Sequence, residues 1–369
     1  MSKKKDVKTK YYSLKKILDT KATYNLIIGE RSNGKTYAIL KYGLERYIQH
    51  GEQMALVRRW DTDFRGKNGQ TMFDGLESSG LISELTGGEW TSVYYYGSRW
   101  YLCRYLDNGT REKQDIPFCY AFSINAGEHD KSTSYPYITT IFFDEFITRS
   151  AYIPNEFILF MNVCSTIIRD RDNVKIFMCA NTVNKFCPYF GEMGLTHVQK
   201  MKQGDIDLYH YGDSTLTVAV EYCKTSKEGK ASDVYFAFDN PKLSMITGGA
   251  WEIDIYPHSP YKYAPKDILL TYFIIFDRHT LQCEVINVED SVYTYIHQKT
   301  GDIKNPDRDL IYTPDYDPRP NYRRNILKPT DNIGKRIALL FKTDKVFYQD
   351  NEIGEIVRNY LIWCGKSAI

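Results

Sequence analysis

The chain has 369 residues, 43% of them hydrophobic and 25% charged, and a formal net charge of +2. This balance fits a soluble protein of about two domains with a substantial core. It excludes a global basic field, so any nucleic-acid contact must come from local patches, and no apolar run reaches the length of a membrane span.

The first residues, Met1-Ser2-Lys3-Lys4-Lys5-Asp6, lack the apolar centre of a secretory signal. Their lysines read as a solvated tail or as phosphate contacts, ahead of a short helix around residues 11–18. The eight cysteines form no CxxC pair and read as reduced, buried thiols of a cytosolic protein. Tyr24-Asn25-Leu26-Ile27-Ile28 then reads as a short buried strand, and the run from Thr36 to Tyr42 as the start of a helix. Gln53-Met54-Ala55-Leu56-Val57 is a second strand, ending in Arg58-Arg59-Trp60 and followed by a polar loop through Arg65-Gly66-Lys67-Asn68-Gly69. Runs at 93–96 and 100–105 around Gly97-Ser98, with a further turn at Asn108-Gly109, predict a β-meander inserted on a parallel core. Residues 137–143 form an apolar strand and 153–168 a helix with Pro154 near its first turn. Residues 174–179 form one more buried strand. Residues 207–223 are strand-rich, 223–249 read as a linker region, and a hairpin of 270–276 and 283–288 turns through Asp277-Arg278-His279. The 31 tyrosines suit half-buried sheet faces or stacking on bases.

Between the first strand and its helix lies Gly29-Glu30-Arg31-Ser32-Asn33-Gly34-Lys35-Thr36, a full match to the phosphate-binding loop G-x-x-x-x-G-K-[ST]. In that setting the backbone N–H groups of Gly29, Arg31, Ser32, Asn33 and Gly34 and the helix N-terminus converge on one anionic pocket. Lys35 would reach the β- and γ-phosphates of ATP, and the Thr36 hydroxyl would ligate Mg²⁺. Ile141-Phe142-Phe143-Asp144-Glu145, an apolar strand ending in two carboxylates, is the Walker B pattern. Asp144 would hold Mg²⁺ and Glu145 would polarise the attacking water as general base. Small-molecule kinases and GTPases do not need the second carboxylate, whereas ATP-hydrolysing motors usually carry it. Asn181 ends the strand after the Walker B helix, where an open α/β sheet faces its ligand; it would sense the γ-phosphate or simply start a loop. Arg169 and Arg171 lie between that helix and strand. Either could project to a neighbouring subunit's nucleotide, or the run could cap the helix C-terminus.

The phosphate loop, the stretch from Tyr47 to Arg59, Phe143-Asp144-Glu145-Phe146-Ile147, Tyr152-Ile153-Pro154-Asn155-Glu156, Arg169-Asp170-Arg171 and the run from Asn181 to Pro188-Tyr189-Phe190 resemble the DNA-packaging ATPases of phi29-like tailed phages. The resemblance is close over residues 20–190 and weaker beyond. It implies a P-loop ATPase of the ASCE, RecA-like class: an α/β fold with a parallel sheet and helices on both faces over 1–222. The 223–249 linker would lead to a smaller α/β domain over 250–369, resembling an RNase H-like nuclease that has lost its active site. It implies a ring of subunits, typically five, driving double-stranded DNA into a preformed capsid in the host cytoplasm. The ring would dock at the portal vertex through a structural RNA. By position Lys35, Thr36, Asp144 and Glu145 take the roles above, and Arg169 matches the arginine acting in trans, with Arg171 as the alternative. In the C-terminal part Asp277 stands where a metal ligand could lie, near Glu284 and Asp290, but without the carboxylate cluster that two-metal cleavage needs, so no nuclease activity is expected. A motor that moves any sequence grips phosphate, and Arg65, Lys67 and Lys131 are the candidates; the family's basic residue after the Arg-Arg pair is replaced by Asp61-Thr62-Asp63. A terminase-type enzyme with an active nuclease, and a monomeric kinase or NTP-binding regulator, are the competing readings.

Overall fold

Alternation of buried runs with helices organises the chain into two units, 1–148 with 155–251, and 149–154 with 252–369. The computed structural model describes residues 12–126, 133–224, 250–259, 261–289 and 291–365. Lys131, Asp290, the N-terminal lysines and nearly all of the 223–249 linker lie outside the described residues.

The first unit runs α1 (Lys15–Asp19), β1 (Tyr24–Gly29), α2 (Lys35–His50), β2 (Gln53–Arg58), α3 (Lys67–Gln70), α4 (Asp74–Ser78), α5 (Leu81–Leu85), β3 (Ser92–Tyr96), β4 (Arg99–Tyr105), β5 (Arg111–Lys113), β6 (Cys119–Ser123), β7 (Ile138–Asp144), α6 (Glu156–Ile168), β8 (Lys175–Asn181), α7 (Pro188–Glu192), β9 (Ile206–His210) and β10 (Thr217–Tyr222). Its strands form one sheet in the order β3-β4-β6-β2-β7-β8-β1-β10-β9, with β5 on β4. From β6 through β10 every neighbouring pair is parallel. The reason is visible in β7: all seven residues, Ile-Thr-Thr-Ile-Phe-Phe-Asp, are buried, as a strand covered on both faces must be. Neighbouring phenylalanines serve opposite faces. Phe142 joins the core beneath α2, where Tyr42 meets Phe177 at 5.3 Å, while Phe143 packs on Phe160 of α6 at 5.0 Å. Helices therefore cover both faces.

The meander is present, with β3, β4 and β5 antiparallel, and it joins the core through β6, a strand the sequence reading passed over. Two local expectations need correction. The segment after β2 is not a loop but a 3-10 turn, Asp61–Phe64, followed by α3. The helix expected from residue 153 starts at Glu156, so Pro154 lies outside it; Asn155 precedes it at φ 55, a left-handed conformation asparagine tolerates.

The second unit contains β11 (Ile268–Phe276), β12 (His279–Val288), β13 (Ser291–Gln298), β14 (Ile311–Tyr312), β15 (Tyr322–Arg323), α8 (Asn332–Lys342), β16 (Val346–Tyr348) and α9 (Asn351–Gly365). Its sheet order is β15-β14-β11-β12-β13-β16. The hairpin of β11 and β12 turns through Asp277 and Arg278, both at positive φ (45 and 68), as a two-residue turn matching the strand twist requires. Phe276 packs against Trp363 of α9 at 5.0 Å.

Candidate nucleotide site

The loop between β1 and α2 is shaped by Gly34, whose φ of 92 before the first helical residue is a conformation that favours glycine. Lys35 is buried, and its ammonium donates to the Glu30 carbonyl at 2.5 Å, Asn33 Oδ1 at 3.2 Å and Asn181 Oδ1 at 3.4 Å. Burial lowers its pKa. These three partners are neutral oxygens, which an incoming phosphate would outcompete for a buried cation. Register explains why Asn181 is within reach: β8 lies directly beside β1, with Gly29 opposite Asn181.

β7 lies on the far side of β8 and delivers the two carboxylates. Asp144 Oδ1 accepts from the Thr36 hydroxyl at 3.3 Å and from Cys179 Sγ at 3.3 Å. Burial pushes the Asp144 carboxyl up, and the Arg58 guanidinium opposes that shift. Glu145 sits beyond the strand end with its side chain 63% exposed and its backbone at φ 61, a strained conformation for a non-glycine residue. Its N–H donates to the Cys179 carbonyl at 2.8 Å, which holds that geometry. Ser32, Gly34, Thr36, Asp144, Glu145 and Asn181 line a cleft of about 220 Å³. A second cleft of about 850 Å³ shares Ser32, Gly34 and Tyr37 with it and is walled by Tyr12 and Leu14.

Two arginines at the end of β2 escaped the sequence reading as site residues. Arg58 bridges both carboxylates, reaching Asp144 Oδ2 at 2.7 Å and Glu145 Oε2 at 2.8 Å. Arg59 is buried. It pairs with buried Glu156 at 2.8 Å and donates to the carbonyls of Glu145 and Phe146 at 3.2 and 2.9 Å. Tyr189 adds a bond to Glu156 at 3.1 Å. The available signal was the position of the Arg-Arg pair at the C-terminal end of a buried strand, the edge where the ligand crevice opens.

Other candidates lie elsewhere. Arg31 is exposed on the loop. Arg169 follows α6 at the opposite edge of the sheet, before β8 begins; the seven residues of β8 put about 20 Å between it and the cleft. It is exposed and donates to the Thr133 carbonyl at 3.0 Å. Arg171 donates to the carbonyls of Tyr135, Pro136, Ile138, Ile167 and Ile168, which commits its guanidinium to local structure. Arg65 pairs with Asp61, and Lys67 is exposed at the first position of α3.

The family model described as Podovirus DNA encapsidation protein (Gp16) matches residues 6–79 and 112–226. The DNA packaging protein of Bacillus phage B103 is 33% identical over 174 residues, 46% of this chain and 48% of that one. The DNA packaging protein of Bacillus phage phi29 is 30% identical over 186 residues, 50% of each. These alignments span about half the length of the curated relatives. Among solved structures, the bacteriophage Phi-29 viral genome packaging motor assembly is similar with a TM-score of 0.56 at 20% identity, covering 96% of this chain and 99% of that one. The Phi-28 gp11 DNA packaging motor gives 0.54 at 18%, covering 97% and 99%. At these identities the likeness shows a shared fold.

Proposed function

The chain belongs to the Podovirus DNA encapsidation protein (Gp16) family, and from that premise we propose that it is an ATP-hydrolysing ring motor that moves double-stranded DNA into a preformed capsid. The observation that carries the proposal is the convergence of Lys35, Thr36, Asp144, Glu145 and Asn181 at the C-terminal ends of β1, β7 and β8. β8 separates the phosphate-loop strand from the Walker B strand, the order of ASCE-class ATPases. Residues 1–222 are the ATPase part in this reading, 223–249 the connection and 250–369 a nucleic-acid-binding part.

The residues suit Mg²⁺ and ATP. Thr36 Oγ1 and Asp144 Oδ1 lie 3.3 Å apart, close to the ~3 Å between neighbouring oxygens around an ion with ~2.1 Å bonds. When bound, Mg²⁺ supplies charge neutralisation on the phosphate oxygens. Lys35 leaves the Glu30 carbonyl to cradle the phosphates, with Ser32, Asn33 and the loop N–H groups around them. Asn181, already within reach of Lys35, senses the terminal phosphate. The wider cleft with Tyr12 and Tyr37 accepts the nucleoside end. Glu145 takes the proton of the attacking water once Arg58 releases it. Arg169 acts on a neighbour's site, since its own cleft is at the other edge of the sheet; the five carbonyl bonds of Arg171, the alternative, favour Arg169 for that role.

In the second unit, β13-β12-β11-β14-β15 follows the strand order of an RNase H-like sheet. Asp277 sits in the hairpin turn and Glu284 is committed to Tyr263, Gln282 and His297, so we propose nucleic-acid contact without cleavage. Double-stranded DNA, the capsid portal vertex and a structural RNA are the partners in this reading, and a ring, five-membered in the phi29-like family, is the working assembly. The test is ATP hydrolysis with and without duplex DNA. Stimulation by DNA supports the motor; DNA-independent phosphoryl transfer to a small acceptor would replace it with a kinase.

A further inference from the structure

The match to the family breaks off after residue 79 and resumes at 112, and β3 and β4 fall in that gap. Their register places Tyr94 opposite Tyr101 and Tyr96 opposite Arg99, while β5 places Arg111 opposite Tyr105 and Lys113 opposite Cys103. Because side chains alternate along a strand, Tyr94, Tyr96, Arg99, Tyr101, Tyr105, Arg111 and Lys113 share one face. The reverse face carries Trp100 and Leu102 into the core, together with Glu112, which Arg104 neutralises at 2.7 Å. The outer face thus bears three cations and three solvent-reaching tyrosines, Tyr94, Tyr96 and Tyr105, around a buried centre at Tyr101 and Cys103, and no carboxylate at any of its strand positions.

The rings are already arranged as a platform. Tyr94 and Tyr96 are parallel within 6°. The Arg111 guanidinium lies 3.5 Å from the centroid of Tyr94, and the Lys113 ammonium 4.3 Å from that of Tyr101. Tyr96 and Tyr105 remain 67% and 60% exposed. A solvated sheet face ordinarily mixes charges of both signs and holds few exposed aromatics. Flat rings interleaved with unneutralised cations are what unstacked bases and their phosphates need: the rings take base faces and the cations take the backbone. A duplex hides its base faces, and an acidic protein segment would use the cations but not the rings.

We propose that the outer face of the β3–β5 meander binds a single-stranded segment of nucleic acid, such as an RNA loop or a frayed DNA end. This site is separate from the nucleotide cleft and does not depend on the ATPase reading. The test uses the full chain without nucleotide and measures fluorescence anisotropy with a labelled, non-pairing strand of about 16 nucleotides, as RNA and as DNA, alongside a duplex DNA of equal length. The double variant Tyr96→Ala/Tyr105→Ala should weaken single-strand binding about tenfold or more, with duplex binding unchanged. Tyr96→Phe/Tyr105→Phe should keep it, because the ring is retained. The triple variant Arg99→Ser/Arg111→Ser/Lys113→Ser should lower the slope of log affinity against log salt by about 2; the tyrosine variants should leave that slope in place. A stronger loss on RNA than on DNA would assign the natural ligand to RNA, and the reverse to DNA; both support the site. Absence of single-strand binding by the wild type, unchanged binding in the alanine variant, or a loss confined to duplex DNA would overturn the proposal.

Discussion

Arg58 Nη1 donates to Glu145 Oε2 at 2.8 Å, so the residue we assign as general base is held by a cation from the neighbouring strand. The same guanidinium holds Asp144 at 2.7 Å. Both carboxylates that would serve the metal and the water are therefore engaged by the protein itself. Divalent metal would compete with Arg58 for Asp144.

This competition can be measured without nucleotide. Arg58→Ala removes the competitor, and Mg²⁺ binding by calorimetry should tighten about tenfold, equivalent to ~1.4 kcal/mol. Unchanged affinity would mean that Arg58 does not restrain the carboxylates in solution.

The two arginines after α6 should separate cleanly. Arg169→Ala should leave the melting temperature unaltered and cut turnover by about 10³-fold. Turnover should partly return when these subunits are mixed with Lys35→Ala subunits. Arg171→Ala removes five donated bonds to carbonyls and should cost about 2 kcal/mol of stability, seen as a lower melting temperature. If Arg169→Ala melts earlier and Arg171→Ala does not, the roles are reversed.

The buried Arg59–Glu156 pair supports the backbone carbonyls of Glu145 and Phe146. Truncating Arg59 to Ala leaves Glu156 charged in the interior without its cation, with Tyr189 still donating to it, at a cost of roughly 3 kcal/mol. Denaturant unfolding is the measurement, and a midpoint equal to wild type would refute the supporting role.

Much of this site was legible locally. The phosphate loop announced itself because one turn must carry all its residues in order between a strand and a helix, and Asp144-Glu145 because the apolar run Ile141-Phe142-Phe143 ended in two acids. The β11–β12 hairpin was legible for the same reason. The partners of these residues were not. Arg58 meets Asp144 across 86 positions and Arg59 meets Glu156 across 97, and no local periodicity encodes a pairing set by sheet order. β6 was missed because its run, Cys-Tyr-Ala-Phe-Ser, is short and its burial comes from β2 and β4 on either side. By charge alone Arg169 and Arg171 were equivalent, and only the resemblance set Arg169 apart; the fold adds that the chain folds back upon Arg171.

The second unit supplies a pH test. His297 lies 3.8 Å from Glu284. The neighbouring His297 ring, with hydrogen bonds from Tyr263 and Gln282, draws the Glu284 carboxyl down to about 2, and the same ion pair raises His297. A lowered carboxylate stabilises the fold above its ordinary pKa of 4.5 and loses that contribution as pH falls toward 2. A raised histidine stabilises below 6.5 and loses its contribution as pH rises through its folded value. The pair therefore contributes most between 4.5 and 6.5. His297→Gln should lower the melting temperature more at pH 5.5 than at pH 8.5; an equal loss at both would show that the charge on His297 is not involved.

The claim that this chain hydrolyses ATP at the Asp144-Glu145 edge is tested most directly by Glu145→Gln. ATP binding and duplex-stimulated turnover should be measured on the same preparation. We predict that binding stays within about threefold of wild type, a difference below 1 kcal/mol, while turnover falls by a factor of about 10²–10⁴. Turnover at the wild-type rate in the glutamine variant would contradict the account.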